Sequence, residues 1–108
     1  MQKYLLPLAA ASLFALATST AALATPVSAG DLSGKKICWD NGSASVYSAN
    51  GHYSNNASGE GTWAVTGGGV AVHTDRYDYV ADVQKLGGGK FHAEISAGGI
   101  SLNGSYCK

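Results

Sequence analysis

The chain has 108 residues, seven of them basic (Lys or Arg) and seven acidic, enough for one small domain. With no excess of Lys and Arg, it carries neither the basic stripe that nucleic acid requires nor a polybasic patch for an anionic membrane.

Lys3 is the only charged side chain before residue 31, and an uncharged run rich in Leu and Ala extends from Tyr4 to Ala24. A short basic start, an apolar stretch and then small residues is the layout of a signal peptide. Two cuts fit. One follows Ala22-Leu23-Ala24 and releases Thr25; the other follows Val27-Ser28-Ala29 and releases Gly30. The second places the signal peptide at 1–29 and the domain at 30–108, with cleavage after residue 24 as the alternative. A run of about 20 apolar residues is long enough to span a bilayer. Its Ala, Ser and Thr content keeps the hydrophobicity mild, so cleavage is expected and no stable membrane insertion after it. From Gly30 onward there are six basic and seven acidic residues, a net charge of −1. The expected location is secreted or periplasmic.

Beyond the leader, turn signals recur every 8 to 12 residues, the rhythm of an all-β domain. Asn41-Gly42 and Asn50-Gly51 are hairpin turns, because both residue types tolerate positive φ. Gly67-Gly68-Gly69, Gly87-Gly88-Gly89 and Gly98-Gly99 mark three more breaks, and no window has a helical period. Between the turns, apolar residues alternate as in half-buried strands. In chain order they are Ile37 and Trp39, then Val46 and Tyr53, Trp63 and Val65, and Val70 and Val72. Tyr77, Tyr79, Ala81 and Val83 follow, then Phe91, Ala93 and Ile95, and last Ile100, Leu102 and Tyr106. That makes seven or eight short strands, and short loops between them require antiparallel neighbours. The expected fold is a small antiparallel meander barrel, with a β-sandwich as the alternative.

Two cysteines in an exported domain pair as a rule. Cys38 and Cys107 bracket nearly all of it, and no C-x-x-C spacing suggests metal or redox work. By strand parity both point away from their apolar neighbours, to the outer face. A bridge on that face implies that first and last strands are adjacent, which closes the barrel. The loop closed is long enough for about 4 kcal/mol of stabilisation on the chain-entropy model.

Catalytic groups are scarce. His73 and His92 fall on the outer face by alternation, His92 beside Glu94, and zinc needs three or four ligands converging. No Gly-x-Ser-x-Gly elbow, free thiol or phosphate-binding glycine loop is present. Asp75, Asp78 and Asp82 are the carboxylates closest together, but Asp78 and Asp82 face outward. The expectation is therefore a protein that is not an enzyme and needs no cofactor or metal. The most polar and aromatic segment contains His73, Asp75, Arg76 and Tyr77. It reads either as an interaction patch or as a hairpin corner with an exposed Asp-Arg pair and inward Tyr residues. Asn-x-Ser sequons at Asn41, Asn56 and Asn103 matter only in a eukaryotic secretory pathway.

Leu32-Ser33-Gly34-Lys35 through Cys38-Trp39, then Asn50-Gly51-His52-Tyr53 and Gly61-Thr62-Trp63, resemble small exported bacterial β-barrel proteins of lipocalin-like, or calycin-like, type. The resemblance covers residues 32 to 65 and implies a binding barrel. Some exported proteins of this size with a terminal disulfide inhibit lysozyme, and their Ser-Gly-x-x-Tyr loop is echoed by Ser96-Ala97-Gly98-Gly99, without the Tyr. No site residue carries over. The resulting expectation is a non-enzymatic secreted or periplasmic binding or interaction domain, its partner an unknown protein or small ligand. An inhibitor of a cell-wall hydrolase and a structural envelope protein are the alternatives. In so small a barrel, side chains are expected to fill the interior and leave no large cavity.

Overall fold

A computed structural model describes residues 24–67 and 69–108. The expected leader lies outside the described residues over positions 1–23. Among the described residues, nine strands form one antiparallel sheet: β1 (Thr25–Pro26), β2 (Lys35–Trp39), β3 (Ala44–Tyr47), β4 (His52–Asn55), β5 (Gly59–Thr66), β6 (Gly69–Thr74), β7 (Asp78–Gly87), β8 (Lys90–Ile95) and β9 (Ile100–Tyr106). From β2 to β9 each strand pairs with the next, and β2 pairs with β9, so eight strands close into a barrel. The sandwich alternative is therefore excluded. A short helix, α1 (Ala29–Leu32), precedes β2, and a 3-10 turn spans Ser96–Gly98.

The two Asn-Gly turns form as their chemistry demands, with φ near 88° at Gly42 and 91° at Gly51. Alternation places Ile37 and Trp39 inside and Cys38 outside. In β3 the parity differs from the expectation. Ser45 and Tyr47 face the interior and Val46 the exterior, because Ile37 is paired with Ser45 and Tyr47 with Tyr53. A β-branched residue suits either face of a sheet, so Val46 alone did not fix the register.

The bridge between Cys38 and Cys107 is formed, with Cα atoms 5.2 Å apart. Cys38 lies opposite Ser105 in the β2–β9 register, and the Cys107 amide donates to the Lys36 carbonyl just beyond it. The bond thus staples the one pair of barrel strands that are not sequential.

One end of the barrel carries α1. Within it, the Asp31 carboxylate accepts from the Ser28 amide and hydroxyl at 2.8 and 3.0 Å, a helix-capping arrangement. Asp31 also meets Lys85 Nζ at 3.2 Å, and its carbonyl accepts from the Tyr106 hydroxyl at 2.7 Å. The Ser28 amide, more than Lys85, holds the Asp31 carboxyl below its ordinary range. Leu32 is wholly buried beneath these contacts. No apolar periodicity announces a helix of one turn, which is why α1 was not foreseen.

The β1 strand completes the wall. The first half of β7 pairs with β6 and the second half with β8; alongside that second half β6 has ended, and Thr25 and Pro26 pair there with Lys85 and Gln84. The next residue, Val27, is buried in the core, and its amide donates to the Val83 carbonyl at 3.1 Å.

Candidate functional site

The other end of the barrel is rimmed by the loops after β2, β4, β6 and β8. It opens into a cavity of about 450 Å³, with Asn41, Ala57, Tyr77 and Ile100 near its mouth. The expectation of a filled interior is thus corrected. Inward positions that a tight core would give to larger residues hold Ser43, Ser45, Ala81 and Ala93. An eight-stranded barrel is wide enough for one small ligand when its inward side chains are short.

The walls are of two kinds. One is aliphatic: Val70, Val72, Ala81, Val83, Ala93 and Leu102. The other carries a hydrogen-bonded group reaching across the interior. Trp39 Nε1 donates to Ser45 Oγ at 3.0 Å, and Asn55 Nδ2 to the same oxygen at 2.9 Å. Ser45 Oγ lies 2.9 Å from the Tyr53 hydroxyl, which lies 3.3 Å from that of Tyr79. Burial pushes the phenols of Tyr79 and Tyr47 well above the usual tyrosine range, so both stay protonated and neutral. Ser58 also lines the cavity, its buried hydroxyl beside that of Tyr79. A mostly apolar pocket with a few placed polar groups is the usual form of a small-molecule site.

No protein-family model matches the chain, and no curated protein or solved structure matches it either.

The segment that stood out in the sequence is divided by the structure. His73 lies on the outer wall, its Nδ1 2.6 Å from Asp78 Oδ1. Asp75, Arg76 and Tyr77 form the loop after β6, at the cavity mouth. Asp75 and Arg76 are both exposed at this corner, as one of the two readings expected, and Arg76 makes a tie across the rim by donating to the Ala57 carbonyl at 3.1 Å. Tyr77 precedes β7 rather than belonging to it and is 57% exposed; of the two tyrosines only Tyr79 turns inward. The loop leaves Tyr77 outside because Thr74 Oγ1 accepts from the Arg76 and Tyr77 amides and holds the turn.

On the outer wall of β8 and β9, His92 Nε2 is 2.5 Å from Glu94 Oε2 and Nδ1 is 2.8 Å from Asn103 Oδ1. The Ser101 hydroxyl donates to the same Glu94 oxygen at 2.7 Å and lies 3.4 Å from His92 Nε2. Serine, histidine and asparagine in a row suggest a nucleophile relay, but a relay needs a bare Nε2 to take the hydroxyl proton. Here Ser101 gives its proton to Glu94, and both ring nitrogens face acceptors. The Asn103 bond first and the Glu94 bond second therefore raise the His92 pKa, while Ser101 and then His92 lower that of Glu94. The arrangement is that of a cross-strand polar cluster. Among the described residues, no three His, Cys, Asp or Glu side chains gather where a metal could sit.

Proposed function

We propose that this chain is an exported, lipocalin-like binding protein that holds one small, mainly apolar molecule inside its barrel, without catalysing a reaction. The observation that carries the reading is the cavity of about 450 Å³, aliphatic on one wall and hydrogen-bonding on the other, open through a rim of loops. A cavity of that size suits a molecule of one or two rings or a medium-length chain. Localisation in the periplasm or outside the cell is supported by the leader pattern and by the disulfide, which persists in oxidising compartments.

The test is a titration with the neutral apolar fluorophore N-phenyl-1-naphthylamine. One site per chain is expected, and Ala93→Phe, which fills the cavity, should abolish binding while the circular dichroism of the barrel persists. No binding by the wild-type protein, or equal binding by the filled variant, would overturn the proposal. One observation favours a second reading, the inhibition of a cell-wall hydrolase by the rim. Tyr77 stands out from the mouth with Ile100, 43% exposed, on the same rim, and exposed aromatic residues are frequent anchors of protein interfaces. Loss of lysozyme activity in the presence of the wild-type protein but not of Tyr77→Ala would support that reading.

A further inference from the structure

The hydrogen-bonded wall of the cavity runs in one direction. Asn55 sets the sense. Its Oδ1 accepts from the Ala57 and Ser58 amides at 2.7 and 3.1 Å, so the side chain presents its NH2 group to Ser45. The Trp39 indole nitrogen can only donate. Ser45 Oγ therefore accepts twice, which occupies both of its lone pairs, and its own proton must go to Tyr53. Tyr53 then accepts from Ser45, and the acceptor within reach of its own proton is Tyr79, 3.3 Å away. Tyr79 ends the row as an acceptor, with its own proton still to place. Burial keeps that proton on the phenol. The Ser58 hydroxyl lies beside it with no other partner: if Ser58 donates to Tyr79 the free proton stays on Tyr79, and if Tyr79 turns to Ser58 the free proton passes one step on to Ser58. Either way the row ends in an O–H donor beside the cavity.

We infer that the molecule held in this barrel carries a hydrogen-bond acceptor, a carbonyl, ether or ring nitrogen, on an otherwise apolar frame, and that it is oriented by the Tyr79 end of the hydroxyl row. This rests on the binding reading above and narrows its ligand class. A ligand that offers only a donor meets a second donor and loses its hydration without replacement. A pure hydrocarbon fits the aliphatic wall and leaves the Tyr79 proton unpaired.

Two near-isosteric probes separate these cases: 2-acetylnaphthalene, with a carbonyl, and 2-isopropenylnaphthalene, with a methylidene in its place. Each is titrated into wild-type protein and into Tyr79→Phe, which removes the hydroxyl and keeps the ring. The ketone should bind wild-type protein and lose roughly threefold to tenfold in affinity in the variant, the range of one hydrogen bond. The hydrocarbon should change by less than about twofold. Comparing the two losses cancels the different hydration of the probes. The infrared carbonyl band of bound ketone should also lie at lower frequency in wild-type protein than in the variant. Equal losses for the two probes, or an unshifted carbonyl band, would overturn the inference and leave the binding function standing. Failure of both probes to bind wild-type protein would overturn the binding function itself.

Discussion

Gly104 shows how one missing side chain shapes the interior. A Cβ on this residue would stand 2.6 Å from Cε3 of the Trp39 ring and 2.8 Å from the Cys38 carbonyl oxygen. Trp39 can lie against β9 only because that space is empty, and in that position its indole reaches Ser45. Gly104→Ala should destabilise the domain by about 1–3 kcal/mol through overpacking. Thermal unfolding would measure it, and quenching of Trp39 by iodide should rise as the ring is displaced. His92 provides a residue-scale prediction in pH. Its pKa is raised in the folded state, first by Asn103 and then by Glu94. Its contribution to stability is therefore complete below the unfolded value of about 6.5 and is lost as pH rises through the folded value. Proton NMR titration should show the His92 pKa falling in Asn103→Ala. The difference in urea midpoint between that variant and the wild type should shrink across the same rise in pH. An unchanged His92 titration would contradict this account.

At the scale of elements, the strands were legible because their burial alternates and because Asn-Gly and Gly-Gly turns punctuate them. The disulfide followed from parity, since Cys38 is flanked by the inward Ile37 and Trp39. What escaped the sequence reading has physical causes. The α1 turn is too short for periodicity and is held by Asp31 contacts to Ser28, Lys85 and Tyr106, two of which lie more than 50 residues away. The cavity was missed because alternation ranks residues by polarity, while space depends on volume: Ala81 and Ala93 are correct core residues by pattern and short ones by size. The hydroxyl row was missed because alternation with Val46 as the inward residue of its strand leaves Ser45 outside, whereas the register with Ile37 turns Ser45 inward instead. The staple joining β2 to β9 carries the prediction at this scale. Replacing Cys38 and Cys107 together by Ser should cost about 2–5 kcal/mol, for a loop between residues separated by 69 positions. For so small a domain the unfolding midpoint should fall by about 10 °C or more. A double variant as stable as its parent would refute that estimate.

On the scale of the whole molecule, the second half of β7 is covered on its β6 side only if the chain begins early enough. Thr25 and Pro26 pair with β7 beside the end of β6, and Val27 is in the core. Ser28 supports the carboxylate of Asp31. Cleavage after Ala29 would remove all four residues, whereas cleavage after Ala24 keeps them. We therefore expect the exported protein to begin at Thr25. Intact mass and N-terminal sequencing of the exported form would show it. A mature chain beginning at Gly30 would mean that the barrel functions with β7 partly uncovered.

The single non-sequential seam of the barrel also governs how quickly the fold can be reached. Every other pairing from β2 to β9 joins neighbouring strands through a short turn, so most of the sheet can zip up locally. Among the eight barrel strands, only the meeting of β2 with β9 requires a search over the length of the chain, and such distant contacts slow folding through their loop-closure entropy. With the sulfurs already joined, that search is over before folding starts. Stopped-flow refolding of the oxidised protein should be faster than that of the reduced protein in the same final buffer, with the difference residing in the folding limb of the chevron. If the two forms refold at one rate and differ only in unfolding, the seam closes after the rate-limiting step, and the staple acts as a lock on the finished barrel.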